Sequence, residues 1–445
     1  MQHKIVIVGG GAGGLELATR LGLTLGRKKQ AHIILVDKNR THIWKPKLHE
    51  IAAGSMDWGD HEVDYMAQAH WNHFSFRIGE LNGIDREKKI IELSPYKGED
   101  GLAVTPPQHI AYDTLVICIG SLSNDFGTKG VKDFALKLET QGDAKSFHSK
   151  MVNACIRAHH QKESIHKRQL HVAIIGAGAT GVELAAELHR TTREVVTYGL
   201  DRIDADKDIK VSLIEAAERI LPALPPRLSH ATEHLITRLG VQVLTNSKVM
   251  EVTATGIRMV DGREIESELV VWAAGVKAPD FLKNFGGLET NRNNQLHVLP
   301  TLQTTLDPNI FAFGDCAACP CSDADGGRAG IVPPRAQAAH QQAMLMVQQI
   351  KRRLAGLPLK SYRYRDFGSL VSLGKFSTVG NMMGGLVGKS LMIEGYFAKL
   401  MYLSLYKLHE LAIHGLGKTT LNTLARMLSK QTQPTVERSE EYTSE

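Results

Sequence analysis

Apolar positions in this chain fall into short unbroken runs, and most of the runs end at a glycine or an acidic residue. The runs lie at residues 4–8, 31–37, 112–120, 172–175, 210–215, 269–275 and 309–315. Runs of this length are typical of parallel strands that are buried on both faces. Stretches with helical spacing follow several of them, so we expect an α/β fold built on parallel sheets.

Two of the runs lead into the same pattern of three glycines. They are Gly9, Gly11 and Gly14 in the first copy, and Gly176, Gly178 and Gly181 in the second. The first glycine permits a tight turn, the second lets the backbone approach a pyrophosphate, and the third lets helix and strand pack closely. Phosphates bind to unpaired N–H groups where the next helix begins, which we place at Val182 in the second copy. We call each copy a phosphate cradle.

Each cradle is followed by the same two kinds of strand. The next strand ends at Asp37 in the first copy and at Glu215 in the second, and a later strand ends at Gly120 or Gly275. An acid in this place accepts hydrogen bonds from a ribose diol and repels a 2′-phosphate, which favours NADH over NADPH. Glu215 comes later than the usual ~20 residues after its cradle, and an insertion at 191–208 accounts for the excess.

The duplication predicts two bound dinucleotides. A single glycine-rich turn can be purely structural, but both copies here have the preceding strand, the following helix and the acid. A flavin and a nicotinamide are the natural pair, because hydride passes directly between them and flavin then releases electrons singly or in pairs. Arg219, four positions after Glu215, leaves some use of NADPH open.

Composition sets further bounds. The chain has 445 residues, 43% of them apolar, which suits a globular protein of two or three domains. No apolar run approaches the roughly 18 residues that a membrane-spanning helix needs. The net charge is +6, with a basic excess at 389–430 and an acidic end at 431–445 that we expect to be a disordered tail. We expect no nucleic-acid partner.

The cysteines predict reduced thiols. There are five, and an odd number without an export signal argues against a disulfide framework. Cys316, Cys319 and Cys321 could bind a soft metal ion such as Cu(I) or zinc. The chain lacks the second cysteine pair that zinc sites usually have, so a loop of thiols without a metal is favoured.

The C-terminal region predicts two helices, around 396–414 and 418–430. An apolar stripe is expected on the first of them, formed by Phe397, Leu400, Met401, Tyr406, Leu408, Leu411 and Ala412. Leu421, Leu424 and Leu428 continue it in the second helix, beside Lys418 and Arg426. An apolar stripe with flanking cations suits a helix that lies at a membrane surface. The same periodicity also suits a packed core or a dimer contact.

Several segments together identify a family resemblance. They are 44–54, 221–226, 271–282, 314–316, 332–342 and 367–374, and with the two cradles they extend from residue 4 to about 430. The chain resembles the flavoproteins with two dinucleotide-binding domains and, among them, the type II NADH dehydrogenases. These are single-subunit NADH:quinone oxidoreductases of respiratory membranes that do not pump protons.

The resemblance implies roles for particular residues. FAD would be bound by Gly9, Gly11, Gly14, Asp37, Lys45, Gly120 and Asp315. NADH would be bound by Gly176, Gly178, Gly181, Glu215 and Gly275. Pro46 would lie beside the flavin ring, Glu183 would lie near the junction of nicotinamide and flavin, and Gln337 and Gln341 would line a quinone pocket. The helix that follows Pro333 and Pro334 would stabilise negative charge on reduced flavin if it begins beside the ring.

The resemblance also implies an organisation. We expect two Rossmann-like domains plus a C-terminal α/β region that associates with membrane. The predicted divisions are 1–168 for the first part of the FAD domain, 169–294 for the NADH domain, 295–350 for the return segment, 351–430 for membrane association or dimerisation, and 431–445 for the tail. The expected partners are NADH, a membrane quinone, an anionic membrane surface and a second copy of the chain. The expected location is the cytoplasmic face of the inner membrane, as a monotopic peripheral protein.

Other functions stay open at this point. Disulfide reductases of this architecture need a cysteine pair after the first acid-tipped strand, but 38–60 contains no cysteine. A sulfide:quinone oxidoreductase would use reactive cysteines and generally lacks an intact NADH cradle. A ferredoxin-type flavin reductase would not need the C-terminal helices. A flavin-bearing protein whose redox state controls binding to a partner would show little turnover.

Overall fold

The computed structural model describes residues 2–57, 59–98, 100–321, 330–373, 377–382, 391–394 and 396–429. By its internal contacts the chain divides into two compact units. Unit 1 is made from Met1–Trp44, His61–Leu122 and Val276–Asp366, and unit 2 from Lys45–Asp60, Ser123–Gly275 and Phe367–Glu445. Each unit is built around its own parallel sheet.

The described chain contains both α-helices and β-strands. The α-helices there are α1 Ala12–Leu21, α2 Leu48–Ala53, α3 Tyr65–Trp71, α4 Val131–Phe134, α5 Gln141–His160, α6 Ala179–Thr197, α7 Pro226–Arg238, α8 Ala336–Leu354 and α9 Tyr396–Ser429. The strands there are β1 His3–Val8, β2 Ala31–Asp37, β3 Thr41–His42, β4 Val63–Asp64, β5 Ser75–Ile78, β6 Glu80–Asp85, β7 Ile90–Ser94, β8 Gln108–Ala111, β9 Thr114–Ile117, β10 Leu122–Ser123, β11 Leu136–Lys137, β12 His171–Ile175, β13 Lys210–Ile214, β14 Gln242–Leu244, β15 Val249–Thr253, β16 Gly256–Met259, β17 Glu264–Glu266, β18 Leu269–Trp272, β19 Val276–Lys277, β20 Leu296–His297, β21 Gln303–Thr304, β22 Asp307–Ala312, β23 Ala317–Ala318, β24 Pro320–Cys321, β25 Gly330–Ile331, β26 Ser369–Leu373, β27 Ser377–Met382 and β28 Leu391–Glu394.

The main sheet of unit 1 has the strand order β21-β22-β9-β1-β2-β5. The strands from β22 to β5 run parallel, and only the edge strand β21 pairs antiparallel in this sheet. Ile5, Ile7, Leu35 and Val116 on its inner strands are fully buried. Burial on both faces explains why these strands read as unbroken apolar runs, as the sequence predicts.

Unit 2 repeats the central part of this arrangement. Its main sheet has the order β11-β18-β12-β13-β14, and every pair in it is parallel. In both units the strand that leads into the cradle lies between the acid-tipped strand and the glycine-tipped strand. The predicted similarity of 4–120 and 172–275 is therefore confirmed at the level of topology, and so is the predicted α/β fold.

The helix after the second cradle begins earlier than predicted. The sequence placed its start at Val182, whereas α6 begins at Ala179 and includes Gly181 in its first turn. The glycine turn leads directly into the helix. The backbone N–H groups that follow Gly178 therefore form the uncapped N-terminus of α6. Helix α6 continues to Thr197, so the first part of the predicted insertion at 191–208 extends this helix.

The C-terminal helix partly contradicts the predicted stripe. Helix α9 is interrupted at Gly415, which has φ 75° and ψ 170°, so the predicted pair of helices is present. Tyr406 is buried, whereas Leu408 and Leu411 are exposed, so these three do not share one face. Tyr406 turns inward because its ring packs against the Lys47 ammonium, at 4.7 Å from the ring centre. The side chains of Phe397, Leu400, Met401 and Leu428 lie outside the described residues.

The two compact units differ from the predicted domain boundaries. The segments 45–60 and 123–168 were assigned to the FAD domain, but they belong to unit 2 by their contacts. Helix α2 packs against both α5 and α6, which draws these segments to the second sheet. Which segments bind which nucleotide remains a prediction, and the predicted tail at 431–445 lies outside the described residues. Within the described part of the chain, no helix is both long and apolar enough to cross a bilayer.

Candidate functional site

The first cradle connects β1 to α1 at the carboxyl edge of the sheet. Gly9 has φ 106°, and a Cβ there would meet the Cys118 carbonyl oxygen at 2.4 Å. A Cβ on Gly14 would lie 1.8 Å from the Gly9 oxygen, which shows how closely helix and strand approach. At Gly11 a Cβ would meet nothing within 4 Å, so the middle glycine faces open space. Gly9 and Gly14 therefore provide the tight turn and the close packing that the sequence assigned to them, and a pyrophosphate beside Gly11 remains a prediction.

Two side chains hold this loop in place. The Asp37 carboxylate accepts hydrogen bonds from the Gly10 N–H at 2.6 Å and the Asn39 N–H at 2.8 Å. Burial raises the pKa of Asp37, and these two hydrogen bonds oppose that rise because they favour the charged form. The Tyr65 hydroxyl donates to the Gly10 carbonyl at 2.7 Å from a buried position. The acid that was predicted to bind a ribose also braces the turn.

The other predicted FAD residues of unit 1 lie at the same sheet edge. Gly120 follows β9 and Asp315 follows β22, and these two strands are neighbours. The Ser121 hydroxyl donates to the Asp315 carboxylate at 2.7 Å. Gln342 of α8 accepts from the Gly314 N–H at 2.8 Å and so holds the turn before Asp315. Ligands of open α/β sheets bind at such carboxyl edges.

The arrangement in unit 1 fits the ADP half of a flavin dinucleotide. Helix α1 begins after Gly11 without a side-chain cap and with no acidic residue in its first turn. Its first N–H groups are therefore free to receive phosphate oxygens. The open space at Gly11 leaves room for a pyrophosphate at that point. Asp37 lies at the end of the neighbouring strand, where a ribose would be recognised.

The second cradle has the same local geometry. Gly176 has φ 101°, and a Cβ on Gly181 would lie 2.0 Å from the Gly176 oxygen. A Cβ on Gly178 would meet nothing within 4 Å, and α6 begins after Gly178 without a side-chain cap. These features fit a second pyrophosphate, as required for NADH.

Glu215 braces the second cradle as Asp37 braces the first. Its carboxylate accepts from the Ala177 N–H at 2.8 Å and the Ala217 N–H at 2.9 Å. Gly275, at the end of the adjacent β18, has φ 64° and lies against Asn124 and Phe126. The residues predicted for NADH in unit 2 thus meet at one sheet edge.

Arg219 is engaged within its own loop. Its guanidinium donates to the Leu224 carbonyl at 2.8 Å, the Pro222 carbonyl at 2.8 Å and the Ser229 hydroxyl at 2.5 Å. These contacts fix the turn that leads into α7. An arginine held in this way is poorly placed to recognise the 2′-phosphate of NADPH. The use of NADPH, which the sequence left open, is therefore disfavoured.

Glu183 occupies a buried polar cluster in unit 2. Its carboxylate accepts from the Ser372 N–H at 3.0 Å and lies 3.6 Å from the His49 Nδ1. Burial raises the pKa of Glu183 to about 7, with a smaller contribution from Glu50, while His49, the Ser372 N–H and Lys47 oppose the rise. A carboxyl group in this state can hold or release a proton near neutral pH.

The predicted flavin contacts at 45–46 lie in a short 3₁₀ turn of unit 2. Lys45 and Pro46 are exposed, whereas Lys47 at the end of the turn is buried. Lys47 pairs with Glu50 at 3.0 Å. The role of this exposed pair beside a flavin ring remains a prediction.

The two predicted quinone-pocket glutamines share one face of α8. Gln337 donates to the Asp366 carboxylate at 3.2 Å. Gln341 donates to the Arg365 carbonyl at 2.8 Å and accepts from the Arg365 N–H at 3.0 Å. The structure therefore brings them together through the segment 365–366. Glu183 belongs to unit 2 and these glutamines to unit 1, so each group is described separately.

The cysteines of the described chain form no disulfide. Burial raises the pKa of Cys316 and Cys319 to about 12, which disfavours the thiolate form that binds metals and attacks substrates. No group of three metal-binding side chains is found among the described residues, and 322–329 lies outside them.

Several residues of these sites were not found from the sequence. They are Lys47, His49, Tyr65, Ser121 and Gln342. Tyr65 is far along the chain from the loop that it holds, and no spacing rule connects the two. His49 and Lys47 stand inside the segment 44–54 that carried the family resemblance, but their burial could not be read from it.

Comparisons with known proteins give the same family as the sequence resemblance. The pyridine nucleotide-disulphide oxidoreductase family matches residues 3–343. A type II NADH:quinone oxidoreductase of Haemophilus influenzae is 42% identical over 445 residues, covering 97% of this chain and 99% of its own. A type II NADH:quinone oxidoreductase of Mycobacterium tuberculosis is 28% identical and covers 91% of this chain and 83% of its own.

A solved structure supports the fold. NDH2 from Plasmodium falciparum, in complex with NADH, has a TM-score of 0.82 and covers 98% of this chain and 100% of that chain at 19% identity. A likeness at this identity concerns the fold alone, whereas the Haemophilus relative covers nearly the whole chain at 42% identity. The chain therefore belongs to the pyridine nucleotide-disulphide oxidoreductase family and, within it, to the type II NADH:quinone oxidoreductases.

Proposed function

We propose that NADH binds at the cradle of unit 2, that FAD binds at the cradle of unit 1, and that the electrons pass from NADH through the flavin to a membrane quinone. The observation that carries this assignment is the pair of glycine turns, each with an open middle glycine beside an uncapped helix N-terminus. When bound, FAD accepts hydride and passes electrons onward. Two open cradles in one chain supply one site for each nucleotide.

The chain's own residues position the reactants and handle protons. Asp37 and Glu215 fix the two turns and face the place of the riboses. Asp315 is held by Ser121 at the edge where the flavin chain would lie. Glu183 keeps an ionisable carboxyl in a buried position, where it would hold a proton for the reacting groups. No covalent nucleophile is required, because positioning supplies most of the rate enhancement in such a reaction.

The activity and the nucleotide preference are tested together. Purified protein is expected to be yellow, to oxidise NADH faster than NADPH and to reduce a short-chain quinone. Glu215→Gln removes the negative charge that would repel a 2′-phosphate, so the ratio of kcat/KM for NADH over NADPH should fall by about tenfold. Glu289→Gln, on a different loop of the chain, is the matched control and should keep the ratio. An unchanged ratio in Glu215→Gln would rule out the role assigned to this residue.

A second proposal concerns the membrane surface. The structure exposes Leu408, Leu411, Leu416, Leu421 and Leu424 on α9, and we call these five residues the apolar face. Lys407 and Lys418 are nearby in the sequence and would meet anionic head groups. We propose that this face rests on the cytoplasmic side of the inner membrane, where quinone is dissolved. Homodimer formation remains a prediction.

Substitutions on the apolar face test this attachment. Burying a leucine side chain is worth about 1.5–3 kcal/mol, so Leu421→Gln with Leu424→Gln should lower binding to phosphatidylglycerol vesicles at least about tenfold. Leu357→Gln changes an equally exposed leucine outside α9 and should leave binding unchanged. Equal losses in both proteins, measured by vesicle sedimentation, would contradict the assignment of the face.

A further inference from the structure

A phenylalanine lies open to solvent beside the second cradle. Phe126 belongs to unit 2, and 67% of its surface is exposed. A Cβ on Gly275 would lie 2.4 Å from the Cζ atom of Phe126, so the tip of the aromatic ring rests directly on this glycine. Single apolar side chains are common at protein surfaces, and exposure by itself therefore has no functional meaning. The conformation and the position of this residue carry the argument.

The backbone of Phe126 is in a conformation that a bulky residue avoids. Its φ is 51°, in the left-handed region that glycine adopts readily and an L-residue with a large side chain adopts only at a cost in free energy. Residues in this state persist where surrounding contacts hold them, and they are concentrated at functional sites. A glycine at position 126 would relieve the strain, but it would remove the ring from Gly275.

Hydrogen bonds attach this strained turn to the core of unit 2. The Asn124 side-chain oxygen accepts from the Phe126 N–H at 3.0 Å. The buried Trp272 of β18 donates its indole N–H to the Asn124 carbonyl at 2.9 Å. The Asn124 N–H donates to the Gly275 carbonyl at 3.3 Å. The aromatic ring is therefore held in a fixed place at the end of β18.

The strand order shows which half of a dinucleotide would reach this ring. Strand β12, which leads into the cradle, lies between β13 and β18. A dinucleotide with its pyrophosphate at the cradle would extend one nucleoside towards each of these neighbours. Glu215 follows β13 and is placed for the adenosine ribose, so the nicotinamide half would extend towards β18. Gly275 and Phe126 lie on that side.

We propose that the Phe126 ring forms one wall of the NADH site and stacks against the nicotinamide ring. The proposal rests on the proposed function, which binds NADH at the cradle of unit 2. Two flat rings bury apolar surface against each other, and offset aromatic pairs gain free energy beyond the area that they bury. Because the turn already fixes the Phe126 backbone, less conformational freedom is lost when the ligand binds.

The strained backbone allows the ring to be removed without loss of folding. Phe126→Gly deletes the ring and keeps the left-handed conformation without strain, so the melting temperature should not fall. Phe126→Tyr keeps an aromatic ring and should behave as the wild type does. Phe134→Ala is the matched control, because it removes another exposed phenylalanine of unit 2, on α4. The proteins are compared at full length and loaded with flavin.

The first measurement compares two ligands by titration calorimetry. NAD⁺ carries the nicotinamide ring and does not reduce the flavin, whereas ADP-ribose has the same phosphates and riboses without that ring. In Phe126→Gly the dissociation constant of NAD⁺ should rise about tenfold, and that of ADP-ribose should be unchanged. Phe126→Tyr and Phe134→Ala should bind both ligands as the wild type does.

Three results of the titrations would contradict the assignment in different ways. Wild-type affinity of Phe126→Gly for NAD⁺ would overturn the contact with the ligand. Equal losses for NAD⁺ and ADP-ribose would place the ring beside another part of the dinucleotide and overturn the stacking on nicotinamide. Failure of the wild-type protein to bind ADP-ribose would instead overturn the cradle assignment, which belongs to the proposed function.

The second measurement uses steady-state kinetics. In Phe126→Gly the kcat/KM for NADH should fall about tenfold, and the kcat/KM for a short-chain quinone should be unchanged, because the ring acts only on the nicotinamide nucleotide. Phe126→Tyr should restore the value for NADH. An equal fall in both values would show a general disturbance of the enzyme and would overturn the role of Phe126 as a binding residue for NADH.

Discussion

At the scale of the residue, Asp37 and Glu215 show how a side chain that is predicted to bind a ribose also holds the fold. Each accepts an N–H from the residue that follows the first cradle glycine, Gly10 or Ala177. Asp37 is the last residue of β2 and Glu215 directly follows β13, at the edge where a ribose would lie. An acid in this position is thus needed before any ligand binds, because without it a backbone donor of the turn loses its acceptor.

The middle and last glycines of the second cradle should respond differently to alanine. Gly178→Ala places a methyl group in open space, so the melting temperature should be unchanged while the KM for NADH rises about tenfold or more. Gly181→Ala places its Cβ 2.0 Å from the Gly176 oxygen and should lower the melting temperature as well. Gly142→Ala, at an exposed helical position, is the control and should change neither KM nor fold. Equal melting temperatures for the two cradle variants would contradict the geometry.

At the scale of the element, the helices fix what the strands present. Helix α1 packs along α8, and the buried Glu16 joins them through His340 at 2.6 Å while also pairing with Arg20 at 2.7 Å. Because α8 carries Gln337, Gln341 and Gln342, its position decides where these amides lie. The cradle helix is in this way connected to the predicted quinone-pocket glutamines of the same unit.

The break in α9 is expected to orient the apolar face. Gly415 has φ 75° and ψ 170°, a conformation that only glycine adopts without strain of about 1–3 kcal/mol. Gly415→Ala should favour a continuous helix, change the direction of Leu421 and Leu424 relative to Leu408 and Leu411, and weaken vesicle binding several-fold. Gly417→Ala has open space and an ordinary φ, so it should bind as the wild type does. Identical vesicle binding by the two variants would show that the break does not matter.

At the scale of the whole molecule, the chain contains one supersecondary arrangement twice. The orders β9-β1-β2 and β18-β12-β13 are equivalent, and the Gly9 N–H and Gly176 N–H each donate to the last residue before an acid, at 2.8 Å in both units. One copy belongs to each compact unit. Two separate cradles would allow the proposed FAD and NADH to be bound by different residues.

Removing the flavin should reveal this separation. A ligand present at 100 times its dissociation constant stabilises a protein by about 2.7 kcal/mol, so flavin-free protein should melt lower and recover when FAD is added. Gly11→Ala should reduce the recovery with FAD but keep the smaller stabilisation by NADH. Gly178→Ala should show the opposite pattern in the same thermal melts. Loss of both effects in either single variant would contradict independent cradles.

Much of the fold could be predicted because its strongest signals are local. The limits of β2 at Ala31–Asp37 were predicted correctly, since a strand buried on both faces is an unbroken apolar run with an acid at its end. The family assignment is confirmed by the comparisons. The start of α6 and the stripe on α9 were partly wrong, because free N–H groups set the first and contact with Lys47 decides the second. The contact of Tyr406 with Lys47 depends on a partner that is distant in the chain.

The sequence by itself determined the two glycine turns, the strands that lead into them and the acids at the ends of the next strands, because each is a local pattern of residues. The tertiary structure alone decided that Tyr65 supports the first cradle, that Arg219 is committed to its own loop, and that His49 lies between two carboxylates. Burial and the pairing of distant side chains arise only when the elements pack together, and proton chemistry depends on both.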